Sequence, residues 1–136
     1  MKIESETQVA VNKLLEEANR FMKNAHKELL LADKNGKYYQ DVKHLRVACG
    51  TAYLAALKAL DGIFLLRNVS KPKRRASIDY YRLGLVKMDK KILLSLNTVY
   101  EVLHLSGYYD GLTDIKVINR GFEEAQWIID KLKESS

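Results

Sequence analysis

The sequence predicts an all-α fold, an antiparallel four-helix bundle of up-down-up-down topology with a short extra helix between helices 2 and 3. Apolar residues recur at three- and four-residue spacing over long stretches, and no segment shows an equally strong two-residue alternation. Three of the 7 Gly and the 1 Pro lie near positions 35, 72 and 107–111, and long helices fit between these positions. A length of 136 residues suits one hydrophobic core, and we expect a single domain over residues 1–136.

The first helix is predicted from about Ser5 or Thr7 to Lys34, where Asn35-Gly36 is a typical C-terminal signal. Further helical segments, separated by short connections, follow along the chain. The predicted bounds are Ile78–Lys87 for the short helix, Asp89–Ser106 for the third helix, and Thr113 or Asp114 to Lys133 for the fourth.

The second helix is predicted to begin at an Asp41 N-cap and to end near Arg67. Its own apolar side chains point in nearly every direction around the helix axis. Other parts of the protein must therefore cover the helix on nearly every side. One seam consists mostly of small side chains that allow another backbone to approach closely: Leu45, Ala48, Ala52, Ala55, Ala59, Gly62 and Leu66. The covering surface is either a neighbouring helix or a second subunit.

The same helix contains an apolar run, residues 47–66, that is long enough to span a bilayer. Lys58 and Asp61 interrupt this run, and each would cost roughly 2.5–3.5 kcal/mol at the centre of a membrane. We therefore expect a buried core helix and no membrane. The N-terminus lacks the pattern of a secretory signal, and a single cysteine, Cys49, fits a reducing compartment, so a cytoplasmic location is predicted.

The positive charge is concentrated in one stretch. Residues 67–91 hold nine Lys or Arg and two Asp, a net charge of +7 against +6 for the whole chain, which leaves −1 for the rest. Four of these cations flank Pro72 and are candidates for binding nucleic-acid phosphates: Lys71, Lys73, Arg74 and Arg75. The alternative interpretation is a solvated linker.

Two tyrosine pairs lie beside glycines and are candidates for stacking on a base or ring: Tyr38, Tyr39, Tyr108 and Tyr109. They could instead close the end of the helical core. In the predicted topology the first and third connections share one end. The molecule should therefore have an aromatic pole opposite the basic one.

Catalytic chemistry leaves little trace in this chain. His26, His44 and His104 have no metal-ligand spacing, and no phosphate-binding loop or dinucleotide fingerprint occurs. The adjacent pairs Glu16-Glu17 and Glu123-Glu124 point about 100° apart on their helices, so they do not present two carboxylates to one substrate. Cys49 lies among apolar neighbours, where burial raises a thiol pKa. We predict no enzyme, no cofactor and no metal. Ser77, which follows Arg74-Arg75-Ala76, is assigned as the cap of the next helix rather than as a phosphorylation site.

The stretch Tyr38-Tyr39-Gln40-Asp41, followed by the alanine-rich run from Cys49 to Lys58-Ala59-Leu60, resembles the second helix of the HEPN (higher eukaryote and prokaryote nucleotide-binding) bundles. Tyr109-Asp110-Gly111 and the run from Gly121 to Ala125 are similar to the last connector and helix of that superfamily. The resemblance implies an uncharacterised bacterial branch, a helical bundle and a tendency to form dimers.

Ribonucleases of that superfamily carry an Arg, a gap of four to six residues and a His late in the bundle. His104 has no such Arg before it, and Arg120 has no His after it. Arg20 and His26 have the spacing but lie on the first helix. The favoured function is a non-catalytic interaction module that forms a homodimer or higher homo-oligomer. The alternatives are a sequence-independent nucleic-acid or nucleotide binder that uses residues 67–91, and a HEPN-type ribonuclease.

Overall fold

The computed structural model describes residues 2–136, with side chains from Glu6 onward. The chain is mostly helical, as predicted. Five α-helices, one π-helix and one small hairpin follow one another along the chain: α1 (Lys2–Leu31), β1 (Lys34–Asn35), β2 (Tyr38–Tyr39), α2 (Val42–Leu66), α3 (Ile78–Met88), α4 (Lys90–Val99), the π-helix (Tyr100–Tyr109) and α5 (Ile115–Ser135).

The hairpin was not predicted, since Asn35-Gly36 was interpreted only as the end of the first helix. That helix stops earlier, at Leu31, and Asp33 turns the backbone with a φ of 59°. β1 and β2 then pair antiparallel around Gly36, whose φ is +65°. Such dipeptides mark a tight hairpin turn as readily as a helix end, because both need a residue of positive φ.

Helix α1 begins at Lys2, earlier than the predicted Ser5 or Thr7. The starts of α2, α3, α4 and α5 agree with the sequence because each has a local cap. The Asp41 carboxylate accepts hydrogen bonds from the backbone N–H groups of Lys43 and His44. Ser77 caps α3, and Asp114 caps α5. Side-chain oxygens at these positions satisfy amides that the helix leaves unpaired.

Helix α2 lies at the centre and packs against α1, α5 and the π-helix. The small seam predicted from Leu45 to Gly62 is buried. At Gly62 the fit is tight, since a Cβ there would lie 2.7 Å from a methyl carbon of Leu132 on α5. By length and composition α2 could also cross a membrane, but 56% of its most apolar window is buried inside this fold.

The predicted third helix corresponds to α4 together with the π-helix, which we call the third long helix. It differs from the prediction in length and in winding. It continues past Ser106 to Tyr109, and from Tyr100 onward it is π-helical. The Asp110 N–H still reaches back five residues to the Leu105 carbonyl, at 3.0 Å. Long π-helical segments are rare and occur preferentially at functional sites.

Candidate functional site

The predicted basic residues lie on the connector between α2 and α3. Lys71, Lys73, Arg74 and Arg75 are all exposed. The connector is anchored to α3 by the Tyr80 hydroxyl, which donates to the Ser70 carbonyl at 2.9 Å. The four cations therefore occupy one fixed part of the surface.

The two tyrosine pairs do not form one ring cluster. The hairpin and the connector before α5 do lie at the same end, because the Tyr39 N–H donates to the Thr113 carbonyl at 2.8 Å. Tyr39, however, is buried and donates its hydroxyl to Asn119 Oδ1 at 3.0 Å. Its ring is therefore not presented to a ligand in this structure, whereas alternation along the strand leaves Tyr38 exposed.

Tyr108 and Tyr109 belong instead to a row of rings along the π-helix. The centroid of the His104 ring lies 5.2 Å from that of Tyr100, 6.1 Å from Tyr108 and 5.0 Å from Tyr109. The ring of Tyr53 of α2 also stacks on that of His104, with 4.6 Å between the two ring centroids. We call these five residues the aromatic row. Burial lowers the pKa of His104, so its imidazole is held in the neutral form that stacks among tyrosines.

The π-helical winding makes this row possible. In an α-helix, residues i and i+5 point about 140° apart, given 3.6 residues per turn. Here both the i+4 and i+5 neighbours, Tyr108 and Tyr109, contact His104. The row is consequently wider than an α-helix would allow.

Arg82 of α3 closes one end of the aromatic row. Its guanidinium lies over the Tyr100 ring, 4.9 Å from the centroid, and its Nε donates to Asn97 Oδ1 at 2.9 Å. Cation–π contact and hydrogen bond together hold α3 against α4 and the π-helix.

An exposed apolar stripe on α2 runs beside the aromatic row. Val47 and Leu54 are 45% and 46% exposed, and Gly50 lies between them, one helical turn from each. The Tyr108 ring packs over Gly50, where a Cβ would lie 2.9 Å from a ring carbon. The apolar stripe and the aromatic row thus form one continuous surface. We call it the paired face because it combines the two.

The predicted features elsewhere do not converge on a catalytic centre. His26 is exposed, and its ring lies 5.1 Å from Phe122 in a shallow depression on α1 and α5. Arg20 lies over the Phe21 ring of its own helix. Cys49 is buried against Gly107, and burial raises the pKa of its thiol to about 12. Among the side chains from Glu6 onward, no three His, Cys, Asp or Glu lie close enough together to hold a metal ion.

One hydrogen-bonded pair in the core region was missed by the sequence reasoning. The Tyr81 hydroxyl donates to Asp61 Oδ1 at 2.7 Å. Desolvation raises the pKa of Asp61 despite that hydrogen bond and despite Lys58 and Lys71 nearby. The signal in the sequence was an acidic residue on the most apolar helix, which was used only as an argument against a membrane span.

We expect Asp61→Asn to stabilise the protein at neutral pH. A carboxyl whose pKa is raised in the folded state binds protons more tightly there, so ionisation above that pKa disfavours the fold. Asparagine keeps an acceptor for Tyr81 without the charge. The gain should vanish as the pH falls to the ordinary value of 3.8, where the aspartate itself becomes protonated. Urea unfolding at both pH values tests this, with the exposed Asp110→Asn as the control; an equal gain at both would contradict it.

The fold and the paired face define a class of protein: a small, mostly helical domain with an exposed aromatic and apolar surface. Residues 13–134 match the model of the domain of unknown function DUF5618, and the chain belongs to that family. A solved structure, described as a protein of unknown function from Dyadobacter fermentans, is 38% identical and superposes with a TM-score of 0.84. That match covers 93% of this chain and 98% of the other. No curated protein matches.

Neither match is described with an activity, a ligand or a partner. The resemblance to the HEPN bundles is not addressed by them and stays a prediction. The function is therefore inferred from the surface of the molecule.

Proposed function

We propose that this chain is a non-catalytic interaction module that self-associates through the paired face. The observation that carries the proposal is the exposed apolar stripe of Val47, Gly50 and Leu54 beside Tyr108 and Tyr109. Tyr109 is 60% exposed and Tyr108 45%. Contiguous apolar surface of this kind is a typical mark of a protein–protein interface, and tyrosines are enriched at such interfaces.

The order of side chains on the stripe suits a second copy of the same chain. A two-fold axis near Gly50 would cross two α2 helices at the level of this residue, with the Tyr108 ring that covers it at the centre of the contact. Val47 of each copy would then lie opposite Leu54 of the other. A self-complementary patch of this kind is what a two-fold dimer requires.

The long helices are proposed to form the up-down-up-down bundle that the sequence predicts. The hydrogen bond between Glu28 and His44 and the ion pair between Glu17 and Lys58 support an antiparallel α1 and α2. Contacts of Cys49 with Gly107 and of Tyr53 with Tyr100 support the same for α2 and the third long helix. In that arrangement the paired face is one side of the bundle, available for docking.

Sedimentation velocity over a concentration series tests the proposed function. We expect a symmetric dimer that dissociates on dilution and carries no nucleic acid. A protein that stays monomeric at high micromolar concentration would remove the proposal, because a second copy is the partner that it names.

A second candidate function, sequence-independent nucleic-acid binding, is favoured by the connector. Within the part of the chain with described side chains, none of its four cations has an ion-pair partner within 4 Å. Phosphate contacts need clustered Lys and Arg and carry no base information. A HEPN-type ribonuclease has no comparable support, since Arg20 lies over Phe21 of its own helix and the His26 ring packs near Phe122 in a shallow depression.

For this second candidate we expect weak binding to duplex DNA with a log–log salt slope of about −3 to −4, given four phosphate contacts. Replacing Lys71, Lys73, Arg74 and Arg75 together by Gln should flatten the slope while the fold is retained, because exposed connector residues contribute little to stability. Fluorescence anisotropy at several salt concentrations measures it. An absence of binding by the wild type at low salt would leave the connector as a solvated linker.

A further inference from the structure

A cleft at the C-terminal end of α2 has the properties of a small-molecule site. It lies between α1, α2, the connector and α3, and its volume is about 540 Å³. Ligand pockets in proteins commonly enclose about 300–1,000 Å³. The size therefore suits a ligand larger than a simple ion.

The walls of the cleft are largely apolar. Side chains from three different segments contribute to them: Ala10 and Leu14 of α1, Phe64 and Leu65 of α2, and Pro72 and Ala76 of the connector. Tyr80 and Tyr81 of α3 complete the lining. An extended hydrocarbon chain or a ring would lose water-exposed surface on entering.

The polar groups of the cleft leave positive charge uncompensated. Three ammonium groups (Lys13, Lys58 and Lys71) and two carboxylates (Glu17 and Asp61) line it, a net charge of +1. Glu17 Oε2 lies 3.3 Å from Lys58 Nζ, whereas Asp61 accepts from the neutral Tyr81 hydroxyl and has Lys58 and Lys71 nearby as opposing charges. One positive charge thus remains in excess next to an apolar cavity, and neither Lys13 nor Lys71 has an ion-pair partner within 4 Å among the described side chains.

We propose that this cleft binds an amphipathic anion, a carboxylate on an apolar body, with the carboxylate held by Lys13 and Lys71. The apolar body lies between α1 and the connector, against Leu14 and Pro72. This site does not depend on self-association, because it lies under the connector and the stripe of the paired face ends at Leu54. Lys71 is then distinguished from Lys73, which is on the same connector but outside the cleft.

The test uses decanoate, decylamine and decan-1-ol, each kept below the concentration at which it aggregates, with binding followed by calorimetry and NMR. We expect saturable binding of decanoate only. Lys71→Gln should weaken it about tenfold, the usual effect of losing one charge-assisted hydrogen bond. Lys73→Gln, the matched control, should leave it unchanged. Ala76→Trp, which fills the cleft, should abolish binding while circular dichroism shows a retained fold.

Three results would overturn the proposal. The first is no saturable binding of decanoate. The second is binding of decylamine as tight as that of decanoate, which would show that the ammonium groups do not select the head group. The third is an equal loss in Lys71→Gln and Lys73→Gln, which would indicate the general field of the connector rather than this cleft. None of these measurements depends on the oligomeric state, so a failure here is distinguishable from a failure of the proposed dimer.

Discussion

Leu54→Glu should convert the self-associated protein into a monomer. Leu54 is half-exposed at the C-terminal end of the stripe and in the proposed dimer faces Val47 of the second copy. A glutamate there would be buried without a partner, and a two-fold interface contains each substitution twice. At about 2–3 kcal/mol per copy, the dissociation constant should rise by roughly a thousandfold or more.

The matched control is Leu94→Glu. Leu94 is a leucine on α4 that is 69% exposed and lies outside the paired face, so it receives the same chemical change without an effect on association. Sedimentation velocity and circular dichroism on both variants separate dissociation from unfolding. Equal association of Leu54→Glu and the wild type would show that another surface mediates it.

Gly107→Ala should destabilise the fold by about 1–3 kcal/mol, although alanine ordinarily favours a helix over glycine. An added Cβ would lie 2.5 Å from Cys49 Sγ, 2.8 Å from Cys49 Cβ and 3.2 Å from the Val102 carbonyl oxygen. Cys49 is fully buried and has no space into which to move. The π-helix would have to separate from α2. Urea unfolding measures the loss, with Ser106→Ala as a control on the same helix.

A second substitution tests the assigned cause. In Cys49→Gly the two contacting atoms are absent, so the Gly107→Ala/Cys49→Gly double variant should lose less stability than the two single losses predict. Coupling of neighbouring residues in such a cycle is commonly about 0.5–3 kcal/mol. Additive losses would mean that Gly107 is needed for the winding of the π-helix itself and not for its contact with Cys49.

Helix positions could be predicted because their causes are local. Asp41, Ser77 and Asp114 cap helices through bonds to amides two or three residues away, which a sequence displays directly. Asn35-Gly36 was misassigned for a related reason: the same dipeptide ends helices and turns hairpins. Only the pairing of Lys34 with Tyr39 decides between them.

The candidate sites were less predictable because they combine distant segments. Tyr100, His104 and Tyr108 repeat every four residues, a signal that could have identified part of the aromatic row. The addition of Tyr109 depends on π-helical winding, which an apolar repeat does not reveal. The cleft brings together Lys13 and Lys71 from two segments 58 positions apart, so its charge could not be derived from the local composition.

The π-helix also makes the paired face sensitive to segment length. Removal of one residue between Tyr100 and Tyr109 would let the segment revert to α-helical winding, in which side chains four and five residues apart no longer lie side by side. The two rings that now contact His104, those of Tyr108 and Tyr109, would then not both remain in the aromatic row. A one-residue gap in this segment of a related sequence would thus be more informative than many substitutions. It would distinguish relatives that keep both the fold and the paired face from relatives that keep the fold and have lost the paired face.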